Sequence, residues 1–381
     1  MKTKGQNSSR LKRIYGTAFI FYFLIAFEFF YMATPFAMYF YSVYKPGLDF
    51  ISGSPLLAWM GSFFLPHLAV DTSSVLLNIR VEAGIALAAL GFIGFCAGAF
   101  QVYYYKLAKK GAVTGGIYKI IRHPQYASLI LCSFGLLILW PRYLALFSFV
   151  LMLFVYYSLA WIEERECEVK FGPSYLEYKR RTGMFLPFNL LYGRKHFILP
   201  QSGLKRFAAT LLLFIAVSII TAIGAHFIKQ WSAGKIFVLY KDNSAYISVT
   251  RIENSSLKNT VHAVLANNEV QALLKQSKSG EKFLNYVLPA EYYALEIPML
   301  SENSGEGYHF IKRQFSGSIY KIIFTRAEGA GIDAQGKDIL LQTIRKKPLF
   351  EVWLDAKQNK LIRLVTLSDK HVDSGIIGPV F

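Results

Sequence analysis

Gly115-Gly116-Ile117-Tyr118-Lys119-Ile120-Ile121-Arg122-His123-Pro124-Gln125-Tyr126 is a short polar and basic island between two long apolar segments. A second island runs from Glu163-Glu164 to Tyr178. Between them lie two apolar stretches, 127–140 and 143–162, joined by Pro141-Arg142 and flanked by Trp140 and Tyr143. Proline at a tight break between apolar runs predicts a helical hairpin, with the two aromatics as interfacial anchors. At a rise of about 1.5 Å per residue, the chain goes out and returns to the face it left. Glu163 is thereby brought near Arg122, His123 and Tyr126. The two islands read as one pocket at the mouth of a helical membrane bundle.

Working outward, the apolar segments are long. Spans are expected over about 14–41, 82–105, 125–140, 143–162 and 206–231, because roughly 20 apolar residues cross a bilayer. The first follows Lys2, Lys4, Arg10, Lys12 and Arg13. It is far longer than the apolar core of a signal peptide, about 7–15 residues. Glu28 sits near its middle. A carboxylate is costly in lipid, and this one is read as facing the bundle interior. The second span is rich in small residues (Gly84, Ala88, Gly91, Gly94, Gly98), which let membrane helices approach closely. Residues 56–70 are apolar but short and broken by Pro66, as in an interfacial or re-entrant segment. The expected architecture is an all-α polytopic membrane bundle of about five transmembrane helices over residues 1–231. A small α+β extramembrane domain follows over residues 232–381.

Of the 381 residues, 54% are hydrophobic and 17% charged, against about 25% charged in soluble proteins. The deficit is uneven: 22 Lys+Arg face 9 Asp+Glu up to residue 228, and 20 face 15 beyond it. The basic excess flanks apolar runs, so it is topogenic charge and not a nucleic-acid surface. Segments 1–13, 106–122 and 163–206 carry 5, 5 and 9 Lys/Arg, whereas 41–80 carry 2 and the Pro141 turn carries 1. The positive-inside rule then puts the N-terminus and both islands in the cytosol and residues 232–381 outside. Cys96, Cys132 and Cys167 show no Cys-x-x-Cys spacing, so neither a disulfide framework nor a metal site follows.

Residues 236–240 and 245–252 read as strands around an Asp242-Asn243 turn. Residues 261–275 carry helical spacing (Val261, Val264, Leu265, Val270, Leu273, Leu274). Hairpins are expected over 308–315 with 318–325, and over 350–354 with 361–367. His262, His309 and His371 are scattered, with no catalytic constellation. A structural role or a protein partner is the default for this domain.

The islands carry the chemistry. Gly115-Gly116 permits close backbone approach, and Pro124 suits a helix start. Arg122 can grip a carboxylate with two hydrogen bonds. His123 is tunable as donor or acceptor, and Tyr118 and Tyr126 offer hydroxyls and ring faces. Glu163 and Glu164 repel each other, so one needs a cationic partner. Phe171-Gly172-Pro173, with Tyr175 and Tyr178, reads as an amphipathic segment along the interface. The run Lys179-Arg180-Arg181 reads as headgroup contact or topology.

Three blocks together are specific: Ala112-Val113-Thr114-Gly115-Gly116-Ile117-Tyr118, Arg122-His123-Pro124-Gln125-Tyr126, and Glu163-Glu164 with Phe171-Gly172-Pro173-Ser174-Tyr175-Leu176-Glu177-Tyr178. They resemble the isoprenylcysteine carboxyl methyltransferase and phospholipid methyltransferase superfamily over about residues 110–187. The resemblance implies a membrane methyltransferase that binds S-adenosyl-L-methionine on its cytosolic side. A lipophilic or lipidated acceptor would reach the methyl group through the bilayer lipids. It also implies that Tyr118, His123, Pro124 and Tyr126 line the cofactor and that Glu163 or Glu164 holds it. Arg122 is left to pair with that acid or with the cofactor carboxylate. Leu159 stands where the prenylcysteine enzymes carry an arginine, and Lys110 stands near where the family often has a histidine, so the acceptor is open. The competing expectations are an NADPH-dependent membrane reductase of the sterol type and a non-enzymatic anchor for an exported partner-binding domain.

Overall fold

The computed structural model describes residues 53–54, 56–67, 69, 71–108, 112–187, 203–278, 280–290, 318–367, 370–373 and 376–379. The expected span 14–41 with Glu28, the expected strand 308–315 and Lys110 lie outside these residues. The chain divides into two compact units, one of residues 1–35, 81–140 and 144–223 and the other of residues 36–80, 141–143 and 224–381.

The first unit is helical. Its helices are α1 (Arg80–Leu107), α2 (Pro124–Leu139), α3 (Tyr143–Phe171), α4 (Pro173–Arg181) and the start of α5 (Gly203–Ala233). Three segments are long and apolar enough to cross a membrane among the described residues: Arg80–Val102, Tyr143–Phe171 and Phe207–Ala233. Helix α2 is apolar but has only 16 residues, about 24 Å at 1.5 Å each. That is short of a hydrocarbon core of about 30 Å.

Small residues set how α1 meets α2. A Cβ on Gly91 would lie 2.3 Å from the Cys132 nitrogen, and one on Gly135 would lie 2.4 Å from the Ala88 nitrogen. Backbone therefore packs on backbone, the contact that glycine permits in membrane helices. Gly91→Ala has no flexible side chain to displace and must push the helices apart, at about 1–3 kcal/mol for overpacking. Thermal unfolding of the detergent-solubilised protein should shift down by several degrees, and an unchanged midpoint would contradict this packing. Helices α2 and α3 share a core of Tyr126, Leu129, Met152, Tyr156, Leu159 and Ala160.

In the second unit, the described residues of 56–70 form no membrane helix. A single 3-10 turn, Ala58–Gly61, is followed by a bridge between Phe63 and Arg142. The Phe64 N–H donates to Pro141 O at 2.9 Å, and the Tyr143 ring packs edge-on to Trp59 and Phe64.

The α+β part of this unit carries a six-stranded sheet in sequential order. Its strands are β1 (Val238–Lys241), β2 (Ser244–Ser248), β3 (Phe283–Pro289), β4 (Ile319–Glu328), β5 (Arg345–Asp355) and β6 (Lys360–Thr366). Neighbours are antiparallel except β2 and β3, which are parallel and joined through α6 (Asn254–Leu265) and α7 (Asn268–Lys275). The β1–β2 and β5–β6 turns use Asp242 at φ 50° and Asn359 at φ 54°, residue types that tolerate the left-handed region. Alternation splits β2 between two cores. Ala245 and Ile247 join the face packed with α8 (Lys337–Gln342), and Tyr246 joins the face packed with α6 and α7. A second, two-stranded sheet pairs β7 (Lys370–Asp373) with β8 (Ile376–Pro379).

Two expectations are corrected here. The single helix over 261–275 is two helices, because the Asn267 side chain accepts from the N–H groups of Glu269 and Val270 and starts a new one. Strand β4 pairs with β3 and β5, and β3 escaped the sequence reading because it is buried on both faces and shows no alternation.

Candidate functional site

Pro124 opens α2 with its φ already set for a helix. His123 before it is non-helical, so the chain leaves the helix axis there. It pairs instead with the segment after α4: the Arg122 N–H donates to Gly183 O at 2.9 Å and the His123 N–H to Met184 O at 3.1 Å. Arg122 and His123 are thereby held beside the C-terminal part of α3.

The buried Arg122 guanidinium places Nε 2.6 Å from Glu164 Oε1. Its Nη1 donates to Lys179 O at 3.0 Å and to Thr182 O. The other Glu164 oxygen lies 2.7 Å from Lys179 Nζ, which also reaches Glu168 Oε1 at 2.7 Å. Glu164 is thus locked between two cations, and its side chain is 2% exposed against 38% for Glu163. The Tyr126 hydroxyl donates to Glu163 Oε1 at 2.6 Å.

His123 lies between the two acids. Its Nδ1 is 3.5 Å from Glu163 Oε2 and its Nε2 is 3.4 Å from Glu164 Oε1. The second contact lacks hydrogen-bond geometry, and Nε2 is a buried polar atom without a hydrogen-bond partner among the described residues. The imidazole stacks on Tyr126 at 5.7 Å, and Tyr126 stacks on Tyr156 at 5.1 Å. Burial disfavours the charged imidazole, but the two adjacent carboxylates, Glu163 and Glu164, outweigh it. The pKa of His123 stands above its ordinary value. Lys179 is likewise lowered by burial and raised further by Glu164 and Glu168, for a net upward shift.

Tyr118 joins this network indirectly. It is buried in the 3-10 turn Gly116–Lys119, and its carbonyl accepts from the Tyr178 hydroxyl at 2.7 Å. The turn needs glycine at 116: φ is +56°, and a Cβ would lie 2.6 Å from Gln101 Oε1. Gln101 Nε2 donates to Gly115 O at 2.6 Å and so ties the turn to α1. Between α3 and α4, Gly172 at φ +58° turns the chain and brings Tyr175, Tyr178 and Lys179 back over the acids. A cleft of about 560 Å³ beside α4 is lined by Thr114, Lys119, Phe171, Tyr175, Tyr178 and Thr182, among others.

Of the sequence-predicted residues, Arg122, His123, Tyr126, Glu163 and Glu164 share one network. Tyr118 is tied to it through Tyr178, and Pro124 acts through its backbone. None of the seven lines the cleft, which shares Thr182 with the network. Lys179 and Gln101 were missed by the sequence reading. Within the basic run, Lys179 is corrected: it pairs with Glu164 and Glu168, whereas Arg181 stays exposed beside Glu177. Leu159, 2% exposed, packs into the apolar core between α2 and α3.

A membrane-type helical hairpin whose two polar ends are cross-tied by buried ion pairs is the class that these features define. The family model described as phospholipid methyltransferase matches residues 76–174. The protein-S-isoprenylcysteine O-methyltransferase of Saccharomyces cerevisiae is 30% identical over 137 residues, covering 33% of this chain and 57% of that relative. The chain thus spans little more than half the length of this curated relative. No solved structure matches. Both matches bear out the resemblance to the membrane methyltransferase superfamily.

Proposed function

We propose that this chain catalyses S-adenosyl-L-methionine-dependent methyl transfer to a lipophilic or membrane-associated acceptor. The observation that carries the reading is the division of labour between the adjacent acids. Glu164 is consumed by Arg122 and Lys179, while Glu163 is more than a third exposed. The donor set fits the cofactor. Glu163 suits an amino group, the His123 imidazole, whose protonated form the two acids favour, suits a carboxylate, and the Tyr118 ring suits a sulfonium. The neighbouring cleft is within the roughly 300–1,000 Å³ of ligand pockets. Arg122 is assigned the role of the pin that holds Glu164.

The cofactor supplies a methyl group on a positively charged sulfur, already a good leaving group. The protein's part is alignment and exclusion of water. Tyr126, stacked between His123 and Tyr156, fixes the Glu163 carboxylate by its hydroxyl. An amine or hydroxyl acceptor would need a base, a role open to Glu163 or a tyrosine.

The accompanying topology has about five spans, with the N-terminus and both islands cytosolic and residues 232–381 outside. It rests on the distribution of Lys and Arg. The test is thermal unfolding of the purified full chain with S-adenosylhomocysteine or NADPH. A ligand at 100 times its Kd stabilises by about 2.7 kcal/mol. A rise with S-adenosylhomocysteine and none with NADPH is expected. The reverse pattern would point to the reductase, and no rise with either would overturn both.

A further inference from the structure

Lys179, with its side chain about a third exposed, makes an ion-pair contact to the acids that the sequence reading did not place in the site, and the family match ends at residue 174. Its ammonium bridges Glu164 and Glu168 on α3 from the last turn of α4. Its carbonyl accepts from Arg122, so one residue contacts both members of the buried pair. Glu164 Oε1 is in turn the atom 3.4 Å from His123 Nε2. Glu168 sits one helical turn from Glu164, which is what lets one ammonium reach both.

We infer that Lys179 is a positioning residue of the site: by fixing the second oxygen of Glu164, it sets the orientation and the proton affinity of His123. In its role toward the cofactor, this inference rests on the function proposed above. The charged groups that face His123 are Glu163 and Glu164 from α3, Arg122 beside it in sequence, and Lys179 through Glu164. Tyr126 from α2 and Phe185 supply ring faces. Of these groups Lys179 is the one cation brought by α4. Removing it leaves Glu164 less compensated, so the protonated imidazole is favoured and Nε2 keeps its proton to higher pH. Lys179→Arg keeps the charge and should restore most of the effect.

The test follows His123 by NMR in full-length, histidine-labelled protein in detergent, with the signal missing in His123→Asn giving the assignment. Without cofactor, the His123 midpoint in Lys179→Ala should rise by about one pH unit. In Lys179→Arg it should stay within a few tenths of a unit of wild type. S-adenosylhomocysteine affinity should fall about tenfold in Lys179→Ala and less than threefold in Lys179→Arg. If Lys179→Ala does not fold, Lys179→Gln keeps the side-chain length, loses the charge and carries the same expectation. A purely structural lysine would lower the melting temperature and leave the midpoint where it was, and that outcome overturns the inference. A shifted midpoint in a protein that binds no S-adenosylhomocysteine supports the positioning role and sinks the proposed cofactor. An unmoved midpoint with normal binding does the opposite.

Discussion

Arg122→Ala is expected to destabilise the helical unit by about 3–5 kcal/mol, the cost of breaking a buried ion pair from one side. The guanidinium and the Glu164 carboxylate are 6% and 2% exposed, so water cannot take over the lost contact. Two further groups lose their donor, the carbonyls of Lys179 and Thr182. The deletion therefore also loosens the segment that carries His123. Glu164→Ala should cost a similar amount, because it strands the buried Arg122, while Lys179 keeps Glu168. The two changes share a partner, so the double variant should be milder than the sum, with a coupling of about 0.5–3 kcal/mol. Denaturant unfolding of the four proteins in one detergent would measure it. A strictly additive cycle would show that the pair does not act as a unit. Arg122→Lys is no remedy, since an ammonium cannot reproduce the planar fork that meets one carboxylate and two carbonyls.

Much of this site was legible in the sequence because two strong local signals fix it. Pro141 at the break between apolar runs folds the hairpin, and Pro124 starts its outgoing helix at the island. Together they place Glu163 and Glu164 against residues 122–126 whatever the details of packing. Lys179 was not legible. Its reach depends on Gly172 adopting φ +58°, a single backbone choice that turns α4 back toward α3. From composition alone, three consecutive basic residues look like a surface run. The same limit applies in the sheet domain. Turns marked by Asp242-Asn243 and by Asn359 were readable, because turn chemistry is local. Strand β3 was not, because it is buried on both faces and so shows no alternation. Asn267 did carry a readable helix-start signal, but the apolar spacing on either side of it masked the break.

Glu163→Gln separates ligand binding from folding and is the sharper test of the proposed function. The change is nearly isosteric, and the amide oxygen can still accept from the Tyr126 hydroxyl, now 2.6 Å from the carboxylate. Glu163 is partly exposed, so stability should change by no more than about 1 kcal/mol, the net worth of a typical hydrogen bond. Binding should respond differently. A hydrogen bond to a charged group contributes about 1.5–3 kcal/mol, and each 1.4 kcal/mol is about tenfold in affinity. S-adenosylhomocysteine affinity should thus fall by about one to two decades, with the melting temperature almost unmoved. Glu164→Gln should do the reverse to the fold, weakening it because the neutral amide no longer compensates Arg122 and Lys179. Any binding loss there should track the loss of folded protein. Equilibrium binding and melting curves on the two variants decide the matter. If Glu163→Gln binds as tightly as wild type, then the exposed carboxylate is not the cofactor's partner, and the assignment of roles to the two adjacent acids fails.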